Sequence, residues 1–159
     1  MILVGKTTPS VLFIERAKQA GDPWSGQIAF PGGKAQPGDA GAKGTATRET
    51  AEEVGIDLGR NALFLGYAEP AVTHTGAIEV VPCVFLLNGE VSVRPNEEVA
   101  SYKWIALDRL LDSGASTTRS MEAEGRKVDF PAIAVSGYTI WGLTYRILLS
   151  VLDMPESTA

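Results

Sequence analysis

The chain is poor in several things, and each shortage limits what it can be. It has one cysteine, Cys83, so no intrachain disulfide can form. Cys83 lies in the apolar run Val80-Val81-Pro82-Cys83-Val84-Phe85, which reads as a buried structural thiol rather than a nucleophile. There is one histidine, His74, on a loop before the longest apolar run, where an incidental position is commoner than contact with substrate. Basic residues form no cluster, and the net charge is −5. That argues against a nucleic-acid surface, which needs grouped Lys and Arg. A nucleotide stays open, because a metal can neutralise phosphates locally. No apolar run approaches the length of a bilayer span, and no charged segment followed by an apolar stretch opens the chain. We therefore expect no membrane partner, no signal peptide and a cytoplasmic location.

The 159 residues are 45% hydrophobic and 21% charged, which suits one soluble domain with one core. Ile2 to Val4 and Val11 to Ile14 read as a hairpin, the second strand apolar enough to be covered on both faces. Gln27 to Phe30 reads as a short strand, and Ala42 to Val54 as a helix that Asp39 or a neighbour caps. Gly44 reads as a mark of close packing against the sheet. Ala62 to Ala68 and Glu79 to Leu87 read as strands, the latter with an edge or bulge at Pro82. A polar connection, Glu69 to Gly76, lies between them, and Asn88-Gly89 is a hairpin-turn signal. Val99 to Ile105 follows as a strand and Asp108 to Leu111 as a short helix. Thr118 to Met121 and Lys127 to Phe130, flanking Glu122 to Arg126, read as a small hairpin. Tyr138 to Leu152 has the spacing of a second main helix, apolar enough to be deeply buried or to form a homodimer interface. The tail from Pro155 to Ala159 reads as frayed. This order predicts an α+β fold, an α/β/α sandwich with a mixed β-sheet between helices, as a single domain over residues 1–154.

One stretch carries the chemistry. Phe30-Pro31-Gly32-Gly33 is followed by a loop and by Arg48-Glu49-Thr50-Ala51-Glu52-Glu53-Val54-Gly55-Ile56. Gly55 sits where a left-handed residue would end the helix. Residues three and four apart share a helix face, so Glu49, Glu52 and Glu53 gather on the last two turns. Like charges at this spacing cost a few tenths of a kcal/mol, and the negative end of the helix dipole adds to that cost. A hard divalent cation such as Mg²⁺ or Mn²⁺ would offset it. An acidic pair alone is more often a solvated face. The glycine turn shifts the balance, because it lets the backbone come close to a ligand.

The stretch resembles the Nudix box, G-x5-E-x7-R-E-U-x-E-E-x-G-U, with U aliphatic. Gly33, Arg48, Glu49, Glu52, Glu53, Gly55 and Ile56 match. The early acid is Asp39 rather than Glu, the gap from it to Arg48 is one residue longer, and Thr50 replaces an aliphatic residue. Gly26-Gln27-Ile28-Ala29-Phe30-Pro31-Gly32-Gly33, with Arg16-Ala17 upstream, looks like the signature of the coenzyme A pyrophosphatase branch. An Asp at position 39 and the longer gap are features of that branch. So are segments like Thr75-Gly76 before Val80-Val81-Pro82, and Ile140 to Thr144. Its upstream Arg is replaced by Asp22, and the aromatic after Thr75-Gly76 by Ala77-Ile78.

The resemblance implies a hydrolase that cleaves a phosphoanhydride in a nucleoside diphosphate linked to another group, coenzyme A being one such compound. Glu49, Glu52, Glu53 and the Gly32 carbonyl would hold Mg²⁺ or Mn²⁺. Arg48 would orient them through Glu52. The general base would come from a late loop, as Glu98 or its neighbour Glu97, or from a box Glu. Trp24 could stack on a base or serve packing. The rival reading is a nucleotide-sensing Nudix domain without turnover, which would be expected to lose box carboxylates; this chain keeps all three.

Overall fold

The computed structural model describes residues 2–4, 9–22, 24–73, 76–123 and 126–152. In chain order the elements are β1 (Ile2–Val4), β2 (Ser10–Arg16), β3 (Ile28–Ala29), α1 (Gly41–Val54) and α2 (Leu58–Asn61). Then come β4 (Ala62–Tyr67), β5 (Ala71–Val72), β6 (Glu79–Val80), β7 (Cys83–Leu87), β8 (Val99–Ala106) and α3 (Leu107–Leu110). The last described elements are β9 (Ser116–Ala123), β10 (Arg126–Val135), β11 (Tyr138–Trp141) and α4 (Gly142–Leu152). No helix among the described residues is long and apolar enough to cross a membrane. His74 and the tail from Pro155 lie outside the described residues.

β2 is the strand around which the layers form. Val11 to Ile14 are all at most 1% exposed. Side chains alternate across a strand. Val11 and Phe13 accordingly enter one core cluster, and Leu12 and Ile14 the other. Tyr145, Leu148 and Leu149 of α4 cover the first face, and Val54 of α1 covers the second. The result is the expected sandwich, with a six-stranded sheet between helices. β8 runs antiparallel along β2 from Ser10 to Arg16, while β1 and β3 share the other edge. β1 pairs with β7 in parallel, and β7 pairs with β4 antiparallel, so the sheet is mixed. The apolar character of α4 is accounted for by the burial of Tyr145, Ile147, Leu148 and Leu149.

Several local expectations are corrected. The second main helix begins at Gly142, because Tyr138–Trp141 is a strand paired with β10. Ser136 and Gly137, at φ 53° and 79°, make a two-residue turn of the kind that matches strand twist. Tyr138 and Ile140 then alternate inward with period two, which their helical spacing concealed. The Glu79 to Leu87 strand is interrupted around Val81-Pro82, consistent with the missing N–H of proline. Its first part pairs with β5, which lies inside the supposed polar connection. Asn88-Gly89 makes a bend rather than a hairpin, since β7 is already flanked by β1 and β4. Asp39 does not cap α1: the N-cap position is Ala40, with no side-chain hydrogen bond. Gly44 packs on Asp39 and Ala40 instead of the sheet; a Cβ there would meet each at 3.3 Å.

Candidate active site

Two adjacent glycines meet two different carboxylates. Phe30 stacks at 5.0 Å on core residue Phe13, and Pro31 is buried, which fixes the entry to the turn. At Gly32 the backbone takes φ 151°, a conformation side chains rarely adopt, and its N–H donates to Glu53 Oε2 at 2.8 Å. A Cβ on Gly33 would lie 2.5 to 2.6 Å from the carboxylate atoms of Glu49. No side chain fits at that position without displacing Glu49.

The far end of α1 is closed by a loop. Gly55 adopts φ 70° and its N–H bonds the Ala51 carbonyl at 3.1 Å, the predicted left-handed stop. The carbonyls of Val54 and Glu53, left free by the end of the helix, accept from Arg94 N–H at 2.8 Å and Asn96 N–H at 2.9 Å. The Asn96 side chain then accepts from Glu98 N–H at 2.9 Å, and the Glu98 carbonyl accepts from Ala17 N–H at 2.8 Å. The late loop is thus stitched to both α1 and the end of β2, which sets Glu98 at the same site.

Glu53 is the electrostatic centre. It is 3% exposed, and burial pushes its carboxyl up to about 7. The Gly32 hydrogen bond and the charge of Arg16 oppose that rise, and the charges of Glu49 and Glu98 reinforce it. It has no ion pair among the described residues. Arg48 is the reverse case, because all five of its N–H donors are used. They reach Asp39 at 3.0 and 3.1 Å, Glu49 at 2.8 Å, Glu52 at 3.2 Å and the Lys34 carbonyl at 3.0 Å. The expected Arg48–Glu52 pair is therefore one strand of a larger knot. Asp39 is its anchor, accepting from Gln36 N–H and Thr45 Oγ1 as well, each at 2.9 Å. The Arg48 hydrogen bonds hold the Asp39 carboxyl well below the usual carboxylate range.

The candidate residues come together on α1, the glycine turn and the late loop, but not as a finished cage. Among the described residues no three His, Cys, Asp or Glu side chains stand in metal-holding geometry. Glu49 and Glu52 are drawn to Arg48 and Glu53 to Gly32, while the Glu52 side chain is 54% exposed. The donor chemistry still fits a hard divalent cation: carboxylates throughout, one of them buried and in no ion pair among the described residues.

Arg16 entered the sequence reading only as part of the coenzyme A signature, with no role at the acidic helix. It follows the apolar run of β2 at a register shift, and its buried Nε has no hydrogen-bond partner among the described residues. Its Nη2 pairs with Asp22 at 3.1 Å, so the acid that departs from the coenzyme A signature is bound to this arginine. A charged residue closing a strand whose centre, Val11 to Ile14, is buried was the signal available.

Residues 1–124 match the family described as NUDIX domain. A relative in Pectobacterium atrosepticum, called the uncharacterized Nudix hydrolase NudL, is 32% identical over 93% of this chain and 78% of its own length. The protein C14C4.10c of Schizosaccharomyces pombe is 39% identical over 66% of this chain, but that match spans 34% of the yeast protein. A MutT/nudix family protein from Enterococcus faecalis shares the fold at a TM-score of 0.59 and 21% identity, over 96% of this chain and 58% of that one. The glycine turn, the acidic helix and these matches agree, and the chain belongs to the Nudix hydrolase family.

Proposed function

We propose that this chain hydrolyses a phosphoanhydride in a nucleoside diphosphate linked to another group, with residues 1–154 acting as one domain. The observation that carries the reading is Glu53, a buried carboxylate in no ion pair among the described residues, held by the glycine turn beside Glu49 and within the field of Glu98. Glu49, Glu52, Glu53 and the Gly32 carbonyl would hold Mg²⁺ or Mn²⁺. Such an ion, when bound, polarises a phosphoryl oxygen and makes a bound water more acidic. Arg48 holds Glu49 and Glu52 in place and ties the helix to the loop through Asp39. Glu98 is the proton acceptor for the attacking water, fixed by its backbone bonds to Asn96 and Ala17. Coenzyme A heads the substrate candidates because Gly26 to Gly33 carries that signature, although Asp22 removes one of its cations.

The test is product detection with Mg²⁺ or Mn²⁺ over coenzyme A, ADP-ribose, NADH, dinucleoside polyphosphates and (d)NTPs. Metal-dependent cleavage of one of them supports the reading. Metal-dependent binding without cleavage of any would replace it with a sensor.

A further inference from the structure

The free edge of the six-stranded sheet carries the most exposed apolar side chains described. β4 (Ala62–Tyr67) ends that sheet, and among the described residues its one strand partner is β7. Leu63, Leu65 and Tyr67 stand along it, 57%, 51% and 58% exposed, more than any other large apolar residue described. A single exposed Leu is common on a protein surface, but three such residues in one short strand form a patch of the kind that marks an interaction site. The patch is held in shape from within, since the Phe64 ring rests on Phe85 and Tyr67, each at 5.1 Å. α4, the surface first expected to meet a second copy, is spent on the core.

β4 is complementary to itself. A bulge adds one residue between Phe64 and Gly66, so Ala62 pairs with Leu87 and Tyr67 with Cys83. Leu87 and Cys83 belong to the same core cluster, which puts Ala62 and Tyr67 on one face of the sheet. Leu63 pairs with Leu86 and Gly66 with Val84, and these share the opposite face. Without the bulge each pair would be split between faces. An antiparallel copy laid along β4 with its ends in register therefore sets Tyr67 against the partner's Ala62, and Leu63 against the partner's Gly66. Both contacts match a large side chain to a small residue. Gly66 has φ 147°, and a Cβ there would meet nothing within 4 Å, so the space beside it is open. The bulge interrupts a continuous hydrogen-bond ladder at the centre, so side chains carry the contact. Charge follows the same symmetry. Arg60 stands two residues before β4 and Glu69 two residues after it, both exposed. The cation of each copy then meets the carboxylate of the other, whereas a parallel arrangement would set like charges together.

We propose that a second copy of this chain docks antiparallel along β4 about a twofold axis, with Leu63 and Tyr67 of each copy filling the space beside Gly66 and Ala62 of the other. The contact is isologous, the same patch serving both copies. It does not rest on the hydrolase reading, because none of its residues belongs to the acidic helix, the glycine turn or the late loop. β4 spans about 20 Å, so the interface is small. The dimer is accordingly dissociable, with a dissociation constant of about 1–100 µM. The experiment is sedimentation equilibrium of the whole chain across that range. The mass should rise from 16.9 kDa toward twice that value. Leu63→Glu should weaken association at least tenfold. Arg60→Glu and Glu69→Arg should each weaken it at least threefold. The double variant restores opposite charges and should return to within twofold of the native chain. Arg60 also has an exposed pair with Asp57 at 3.4 Å in its own chain, which the double variant does not rebuild, so recovery reports the contact between copies. Both charged positions are exposed, so these variants fold even where Leu63→Glu does not. A monomer throughout the range overturns the proposal, as does native association in a folded Leu63→Glu protein. Native association in both single charge variants, or weakening with no recovery in the double variant, overturns the antiparallel register.

Discussion

Replacing Glu53 by Gln should abolish turnover while flattening the dependence of stability on pH. Burial raises the Glu53 carboxyl from 4.5 to about 7. The folded state therefore holds a proton more tightly than the unfolded chain. Stability from this group is absent near pH 8, grows as the pH falls through 7, and is complete below 4.5. Between pH 8 and pH 5 that linkage is worth about 2.5 kcal/mol. For a chain of this size it corresponds to about 5–10 °C in the unfolding midpoint. Gln keeps an oxygen to accept from Gly32 N–H, but its amide hydrogens add a desolvation cost of about 1–3 kcal/mol if unpaired. That cost is the same at both pH values and cancels from the comparison. The assay is thermal unfolding of native and Glu53→Gln protein in EDTA at pH 8 and pH 5. Native protein should gain the larger increase on acidification. At pH 8, added Mg²⁺ or Mn²⁺ should stabilise it more than the variant. Parallel pH profiles for the two proteins would refute the reasoning, because they would mean that Glu53 carries no buried charge. Normal turnover in the variant would remove Glu53 from the metal site.

Gly33→Ala should fold with a nearly unchanged unfolding temperature, since its Cβ meets only the flexible end of Glu49. It should lose at least about tenfold in turnover, or about 1.4 kcal/mol of transition-state stabilisation, in steady-state kinetics. Asp39→Asn should lower the unfolding temperature at pH 7 by loosening Arg48. Because Arg48 depresses the Asp39 carboxyl in the folded state, the native advantage should shrink as the pH falls below 3.8, which paired melts at pH 7 and pH 3 would reveal. Glu98→Gln should reduce kcat by about 10²-fold with little change in KM, as loss of a general base predicts; an unchanged kcat would assign the base elsewhere.

The parts of the fold legible in the sequence were those where local pattern and tertiary demand coincide. The run Val11 to Ile14 announces a strand covered on both faces because it has no polar face to expose. Gly55 announces the end of α1 because few other residues take φ 70° there without strain. The failures came where two patterns overlapped. Tyr138 and Ile140 serve a period of two, yet they also fit the helical spacing of the α4 residues that follow. Only the Ser136-Gly137 turn separates the readings, and it lies just upstream of the apolar pattern. Asn88-Gly89 had hairpin chemistry but no free strand to pair with, which local sequence cannot express. Within the site, the acidic helix and the glycine turn were legible by type and spacing. The role of Asp39 was not, because it depends on an arginine nine residues away. The effect of Arg16 on Glu53 becomes visible only once the sheet brings β2 beside the end of α1.

The unequal treatment of the three helix carboxylates bears on how a cation would be received. Glu49 and Glu52 already have a positive partner in Arg48, and their like-charge repulsion is offset without any metal. Glu53 has been left out of that arrangement. It is buried, accepts from the Gly32 N–H, and feels the attraction of Arg16 along with the repulsion of Glu49 and Glu98. A divalent ion therefore gains most from Glu53, while it must compete with Arg48 for the other two. Arg48 in turn cannot follow them far, because two of its five hydrogen bonds run to Asp39 and one to the Lys34 carbonyl. The helix thus keeps two carboxylates poised on a fixed cation and a third that only the Gly32 N–H and the charge of Arg16 offset. Such an arrangement would let the protein tolerate a dense cluster of negative charge and, on the proposed reading, still gain from a divalent cation.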